Sequence, residues 1–249
     1  MLIGLISDPH ANLEAVQSVL QDVDRVRPDA IVCLGDFVGY GGSPNEVVAA
    51  LQDRCDLSLI GNHDLAAVGR VDLDIFRDVA AEAVVWTRDQ LNSESSEFLQ
   101  DLSPRASFSK GTDIELAHAS FVDPVWEYIT SSAIAAWSFS SVDFEVAAVG
   151  HTHVPAVFWQ TEEGIKGFHV SVPNDDVAEV QIDFGRVILN PGGVGQPRDG
   201  DPRASWATWD SIRKVFAVRR VEYPIEQAQR TIRRAGLPAV LADRLAEGW

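Results

Sequence analysis

Cysteine is nearly absent: Cys33 and Cys55 are the only two in 249 residues. Two thiols cannot build a small disulfide scaffold, and nothing in their placement points to an oxidising compartment. Cys33 sits in the apolar run Ala30 to Leu34 and reads as a small buried hydrophobe. No apolar run approaches the ~18 residues that a membrane span needs. The first residues, Met1 to Ser7, have no basic leader, and Asp8 ends the apolar stretch early, so they do not read as a signal peptide. These absences predict a cytoplasmic protein with no membrane partner. Positive charge is also scarce. Lysine and arginine number 20 against 37 aspartates and glutamates, a formal net charge of −17. Such a surface repels duplex nucleic acid over most of its area. It still admits a small anionic substrate where local cations, bound metal included, reverse the field.

What is present is ordinary for a globular chain: 46% hydrophobic and 23% charged residues. A chain of this length buries a core without covalent help. No Pro/Gly/Ser linker divides it, so 1–249 reads as a single domain, with 221–249 as a helical C-terminal appendage. The first third alternates strand and helix. Strands are expected at 2–7, 30–34 and 57–60. A helix capped by Asn12 carries Leu13, Val16, Leu20 and Val23 at helical spacing, and another starts at Pro44. Strand–helix–strand units predict a largely parallel sheet. A long helical segment is expected over 71–101. Short strands follow at 105–109, 113–117, 145–149, 155–160, 166–172, 186–189, 204–209 and 213–220. Two short helices, split at Gly236-Leu237-Pro238, end the chain.

Five of the six histidines fall at expected strand exits. Asp8 and His10 follow the first strand, Gly35-Asp36 the second, and Gly61-Asn62-His63-Asp64 the third. His118 and Gly150-His151-Thr152-His153 follow two later ones, whereas His169 has no such setting and reads as structural. Each segment alone has a plain alternative, a turn or a satisfied core histidine. Jointly they do not, because ligands of open α/β sheets gather where the carboxyl ends of strands converge. Two Asp, one Asn and four or five His make an oxygen/nitrogen donor set suited to transition metals, with no thiolate. In an extended segment, Asp-x-His and His-x-His each point two side chains the same way. A single Asp36 carboxylate has two oxygens with which to bridge two cations.

These blocks resemble, in order and spacing, the five motifs of the calcineurin-like metallophosphoesterase superfamily. Gly39-Tyr40-Gly41, Ser43-Pro44-Asn45-Glu46, Asp123-Pro124-x-Trp126-Glu127-Tyr128, Asn190-Pro191-Gly192 and Gly195-Gln196-Pro197-Arg198-Asp199-Gly200 extend the resemblance to a bacterial and archaeal subgroup of about this length. The resemblance implies a four-layer αββα sandwich of two mixed β-sheets. It implies a dinuclear centre: Asp8, His10, Asp36 and His153 on one metal, and Asp36, Asn62, His118 and His151 on the other. Manganese is the first choice of ion, with iron, zinc or nickel as alternatives. It further implies a phosphoesterase in which a metal-bridging hydroxide attacks a phosphate mono- or diester in line. His63 would face the leaving group, and Asp64 would fix the tautomer of His63. The substrate would be a small-molecule or peptide phosphate ester, including nucleotides, dinucleoside polyphosphates and phosphoserine/threonine. The alternative is a non-catalytic metal-binding scaffold of the same fold. The chain departs from its relatives at Ala11 and Ala119, where glycine is usual, at Gly193, where serine is common, and at Phe121-Val122, where the subgroup often has Pro-Arg. The substrate preference of relatives therefore does not carry over. Trp86 is a candidate cap residue, and Trp126 and Tyr128 are candidate walls for a stacked ring, with core packing the plain alternative for the tryptophans. Arg198 lies on a candidate active-site rim. The arginines at 219, 220, 230, 233, 234 and 244 are expected to pair with acids.

Overall fold

The computed structural model describes residues 1–172, 176–183 and 185–249. Among the described residues, twelve strands form two six-stranded sheets. The first sheet has the order β3(Leu57–Ser58), β2(Ala30–Cys33), β1(Leu2–Ile6), β11(Ala204–Asp210), β12(Val215–Val221), β9(Val177–Gln181). The second runs β4(Arg105–Ser109), β5(Asp113–Ala117), β6(Val146–Val149), β10(Val187–Asn190), β7(Ala156–Thr161), β8(Gly164–His169). Parallel pairing is confined to β1–β2–β3 and to β5–β6–β10, while the remaining pairs are antiparallel. The expectation of a largely parallel sheet thus holds only for these two three-stranded cores. Both sheets are mixed, as the four-layer architecture requires.

Strand alternation builds the layers. Ile3 and Leu5 of β1 face the second sheet and meet Leu116, Val187 and Leu189 in a dry inter-sheet core. Ile6 points the other way, toward α1(Leu13–Val26), α2(Pro44–Gln52), α7(Ile225–Arg234) and α8(Ala239–Asp243), which cover the outer face. Ala117, Ala147 and Ile188 face outward from the second sheet onto α6(Ser132–Ser141) through Ala135 and Phe139. Among the described residues no helix is long and apolar enough to cross a membrane.

Local signals explain most boundaries. The Asn12 side chain accepts from Ala15 N at 3.1 Å and starts α1, and Pro44 occupies the first turn of α2. The long helix expected over 71–101 is instead a 3₁₀ turn at Leu73–Ile75 followed by α4(Asp78–Gln90) and α5(Ser93–Asp101). Asn92 breaks it, because its side chain caps α5 through Ser95 N at 2.8 Å. Trp86 on α4 packs into the outer helical core rather than over the site. The strand expected at 166–172 lies earlier, at β8, and β9 and α6 were not expected. β9 is a half-buried edge strand with polar residues inside it, and α6 has no apolar stripe to announce it.

Candidate metal centre

The carboxyl ends of all six parallel strands converge on one place. The loops leaving them are strained. Among the described residues nine non-glycine residues have positive φ, and seven of them lie here: Asp8, His10, Ala11, Asp36, Tyr40, His151 and His153. Each costs about 1–3 kcal/mol unless surrounding bonds impose it. Those bonds exist: Asp8 N donates to Gly35 O at 3.0 Å, His10 N to Asp36 O at 2.9 Å and Gly195 N to Asp8 O at 2.9 Å. The expected reason for the Asp-x-His pairing was wrong. Asp8 and His10 converge through left-handed backbone, not as alternate side chains of an extended strand.

Asp8, His10, Asp36, Asn62, His118, His151 and His153 are all buried and mutually close. Ligand atoms of Asp8, His10 and His153 lie within 4.8 Å of one another, as do those of Asp36, His118 and His151. Each carboxylate spends one oxygen on the scaffold. Asp8 Oδ2 accepts from Ser7 Oγ at 2.6 Å and from His151 N at 3.1 Å. Asp36 Oδ1 accepts from His63 N at 2.9 Å. The other oxygen faces inward. Asp36 Oδ2 stands 3.6 Å from both His10 Nε2 and His118 Nε2, between the two clusters. Asp8 Oδ1 is 3.4 Å from His153 Nε2 and, among the described residues, has no hydrogen-bond donor.

The histidine tautomers follow from their outer partners. A carbonyl can only accept, so the ring nitrogen beside it carries the proton. His10 Nδ1 donates to Val38 O at 3.0 Å, His118 Nδ1 to Leu34 O at 2.7 Å and His153 Nδ1 to Gln196 O at 2.5 Å. Their Nε2 lone pairs point inward. His151 is reversed: Nε2 donates to Trp126 O at 3.3 Å, leaving Nδ1 for the interior. Lone pairs therefore face lone pairs. His10 Nε2 and His153 Nε2 are 3.1 Å apart, and His118 Nε2 is 3.3 Å from Asn62 Oδ1. Burial, with neighbouring histidines and Arg198, holds His10 and His63 well below the usual imidazole range, and burial also lowers His118, His151 and His153. Neutral rings cannot relieve these contacts with a proton. Burial acts to raise Asp8, but His153, aided by His118 and His10, holds its carboxyl below the usual carboxylate range. Burial and the nearby Asp64 and Asp8 push Asp36 well up. Cations between these groups would satisfy every inward donor, so the residues fit two metal ions.

His63 belongs to the same cluster, a ring nitrogen lying within 4.8 Å of ligand atoms of His10 and Asp36. Its ring packs edge-on to His10 and Phe76, and among the described residues its Nδ1 has no partner. The expectation that Asp64 fixes the His63 tautomer is not met. The Asp64 carboxylate accepts instead from Val38 N and Gly61 N, both at 3.0 Å, and braces the loops after β2 and β3. Burial pushes this carboxyl up to about 7.

Above the cluster lies a cavity of about 470 Å³ whose lining includes Tyr40, His63, Phe76, Trp126, Tyr128, Arg77, Arg198 and Arg244. Trp126 and Tyr128 thus form a wall as expected. Tyr128 stacks on His151 with ring centroids 3.8 Å apart. The sequence did not signal Phe76 or Arg77, nor the carbonyls that orient the histidines, since any residue supplies a carbonyl. Arg244 departs from expectation by facing the pocket, whereas Arg219, Arg220, Arg230 and Arg233 pair with acids. His169 is exposed on edge strand β8, outside the cluster. A cavity of about 480 Å³ at the opposite strand ends has none of the histidines in its lining.

Residues 1–211 match the calcineurin-like phosphoesterase superfamily domain, and the chain belongs to that family. It is 36% identical to an uncharacterised protein of Methanocaldococcus jannaschii, over 99% of this chain and 98% of that one. A crystal structure of a metallophosphoesterase from Sphaerobacter thermophilus is 42% identical and superposes with a TM-score of 0.87, covering 100% of this chain and 99% of that one. A hypothetical protein from Pyrococcus horikoshii has the same fold at 19% identity, with a TM-score of 0.81 and coverage of 100% and 98%.

Proposed function

We propose that this protein is a dinuclear-metal-dependent phosphoesterase acting on a small phosphate ester. The observation that carries the reading is the set of inward lone pairs around Asp36, which a pair of metal ions would reconcile. Asp8, His10, Asp36 and His153 would hold one ion; Asp36, Asn62, His118 and His151 would hold the other. The nitrogen/oxygen set accepts manganese, iron, zinc or nickel. Two such ions supply neutralisation of phosphoryl oxygens and lower the pKa of a water from ~15.7 toward ~7.

The protein's own contribution is positional. Asp36 would be the ligand shared by the two ions, and the outer carbonyls lock each imidazole. His63 lines the pocket beside the cluster and would hold a hydrogen bond at the departing oxygen. The aromatic wall of Phe76, Trp126 and Tyr128 receives the organic part of the ester. A scaffold that merely bound metal would have no use for an unpartnered His63 beside an open cavity.

The test is hydrolysis of phenyl phosphate and an aryl phosphodiester by metal-stripped protein reloaded with Mn, Ni, Zn or Mg. Turnover should require metal, and Asp36→Asn should abolish it together with paired-metal binding. His63→Ala should lower kcat by about 10²–10⁴ while the protein still binds two ions. Two ions bound with no turnover on any ester would favour the scaffold.

A further inference from the structure

The family domain ends at residue 211, but the pocket does not. Arg244, in the 3₁₀ turn after α8, brings its guanidinium 6.0 Å from the Tyr40 ring centroid. Arg198, in the loop after β10, stands 5.7 Å from the same ring. Tyr40 itself packs on His63 and His10, at centroid distances of 4.4 and 4.7 Å. Two guanidinium groups therefore stand one ring away from the metal centre.

Among the described residues, Arg198 forms no ion pair with a carboxylate. Arg198 donates to Gln196 Oε1 at 3.1 Å, and its buried Nε has no partner. Arg244 donates only through Nε, to the main-chain oxygen of Trp249. In a chain of net charge −17, acids are abundant, and Arg219, Arg220 and Arg233 pair with them. Like charges facing one pocket repel each other, and burial together with Arg198 lowers Arg244 below the usual guanidinium range. An anion between them removes that cost, and a planar fork suits a phosphoryl group. The scissile phosphoryl already has the metal centre, so this anion is a further one.

We infer that Arg198 and Arg244 clamp a second phosphoryl group beside the one that is cleaved, making the substrate a compound with two linked phosphoryl groups, such as a nucleoside diphosphate. The inference rests on the phosphoesterase reading above. It also makes the C-terminal segment, outside the family domain, a determinant of specificity. In the reaction water adds to the outer phosphorus and the bridging P–O bond breaks. ADP then gives AMP and orthophosphate, with one proton released to solvent.

The experiment compares phenyl phosphate, AMP and ADP on the metal-loaded protein, wild type against R198Q, R244Q and R244K. A parallel calorimetric titration uses the non-hydrolysable α,β-methylene analogue of ADP, and melting temperatures confirm that the variants fold. ADP should exceed AMP at least tenfold in kcat/KM. That ratio should collapse toward one in R244Q and partly return in R244K, and R198Q and R244Q should each weaken analogue binding at least tenfold. Equal turnover of AMP and ADP by the wild type, or one common factor of loss for all three substrates in R244Q, would overturn the clamp while leaving the phosphoesterase reading standing. No turnover of phenyl phosphate with any metal would instead count against that reading, and analogue binding would still decide the clamp.

Discussion

At the scale of single residues, the site depends on groups that take up almost no space. A side chain at Gly61 would meet the Asp36 carboxylate and backbone, and one at Gly150 would meet Ser7 Oγ. Gly61→Ala should therefore displace the Asp36 carboxylate. The expected outcome is loss of paired-metal binding by calorimetry in a protein that still folds. Asn190 is a second quiet residue. Its Nδ2 donates to Gly150 O at 2.9 Å and Thr152 Oγ1 at 3.0 Å, bracing the loop that carries His151 and His153. Asn190→Ala removes both bonds and leaves Gly192 N, which donates to Asn190 Oδ1 at 2.9 Å, without its acceptor, a cost of roughly 1–3 kcal/mol. Its melting temperature should fall, and its metal affinity should fall with it.

At the scale of elements, each parallel strand is a delivery device, and the helices set the angle at which it delivers. The C-terminal helices show this most directly. Leu241 and Leu245 are buried in the outer core, and their burial anchors the turn that carries Arg244 to the pocket. Leu241→Ala should cost about 2–5 kcal/mol, since the cavity left behind adds to the lost transfer energy. A chain of this size shifts its melting temperature by ~2–4 °C per kcal/mol, so calorimetry resolves the effect. Asn92→Ala removes only a cap, and the expected loss is about 1 kcal/mol.

At the scale of the whole molecule, strain and charge repulsion are concentrated at one end of a sandwich whose centre is dry and apolar. The strained loops and facing lone pairs are tolerated because the inter-sheet core supplies stability elsewhere. Ions bound to the folded state alone add about 2.7 kcal/mol per site at a hundred times Kd. Metal-stripped protein should accordingly melt several degrees lower than reloaded protein. On the proposed function, Asp36 would be a ligand shared by the two ions, and the difference should vanish in Asp36→Asn.

The sequence by itself determined where the chemistry lies. Histidine, aspartate and asparagine recur at strand exits, and β-strand periodicity together with Asn12, Pro44 and Gly236-Leu237-Pro238 marks most element boundaries. Such signals are local, so they survive in one dimension. Tertiary structure alone decided what each residue does. Asp64 lies next to His63 in sequence, yet its carboxylate turns to the amides of Gly61, three residues back, and of Val38, brought in from the loop after β2. Arg244 reads as one more basic residue on a helical tail, yet packing of Leu241 and Leu245 brings it across to Tyr40. Backbone carbonyls fix the tautomers of four histidines and leave no mark on the sequence at all. Proximity between distant segments is a property of the packed chain, and pairing, tautomer and specificity all depend on proximity.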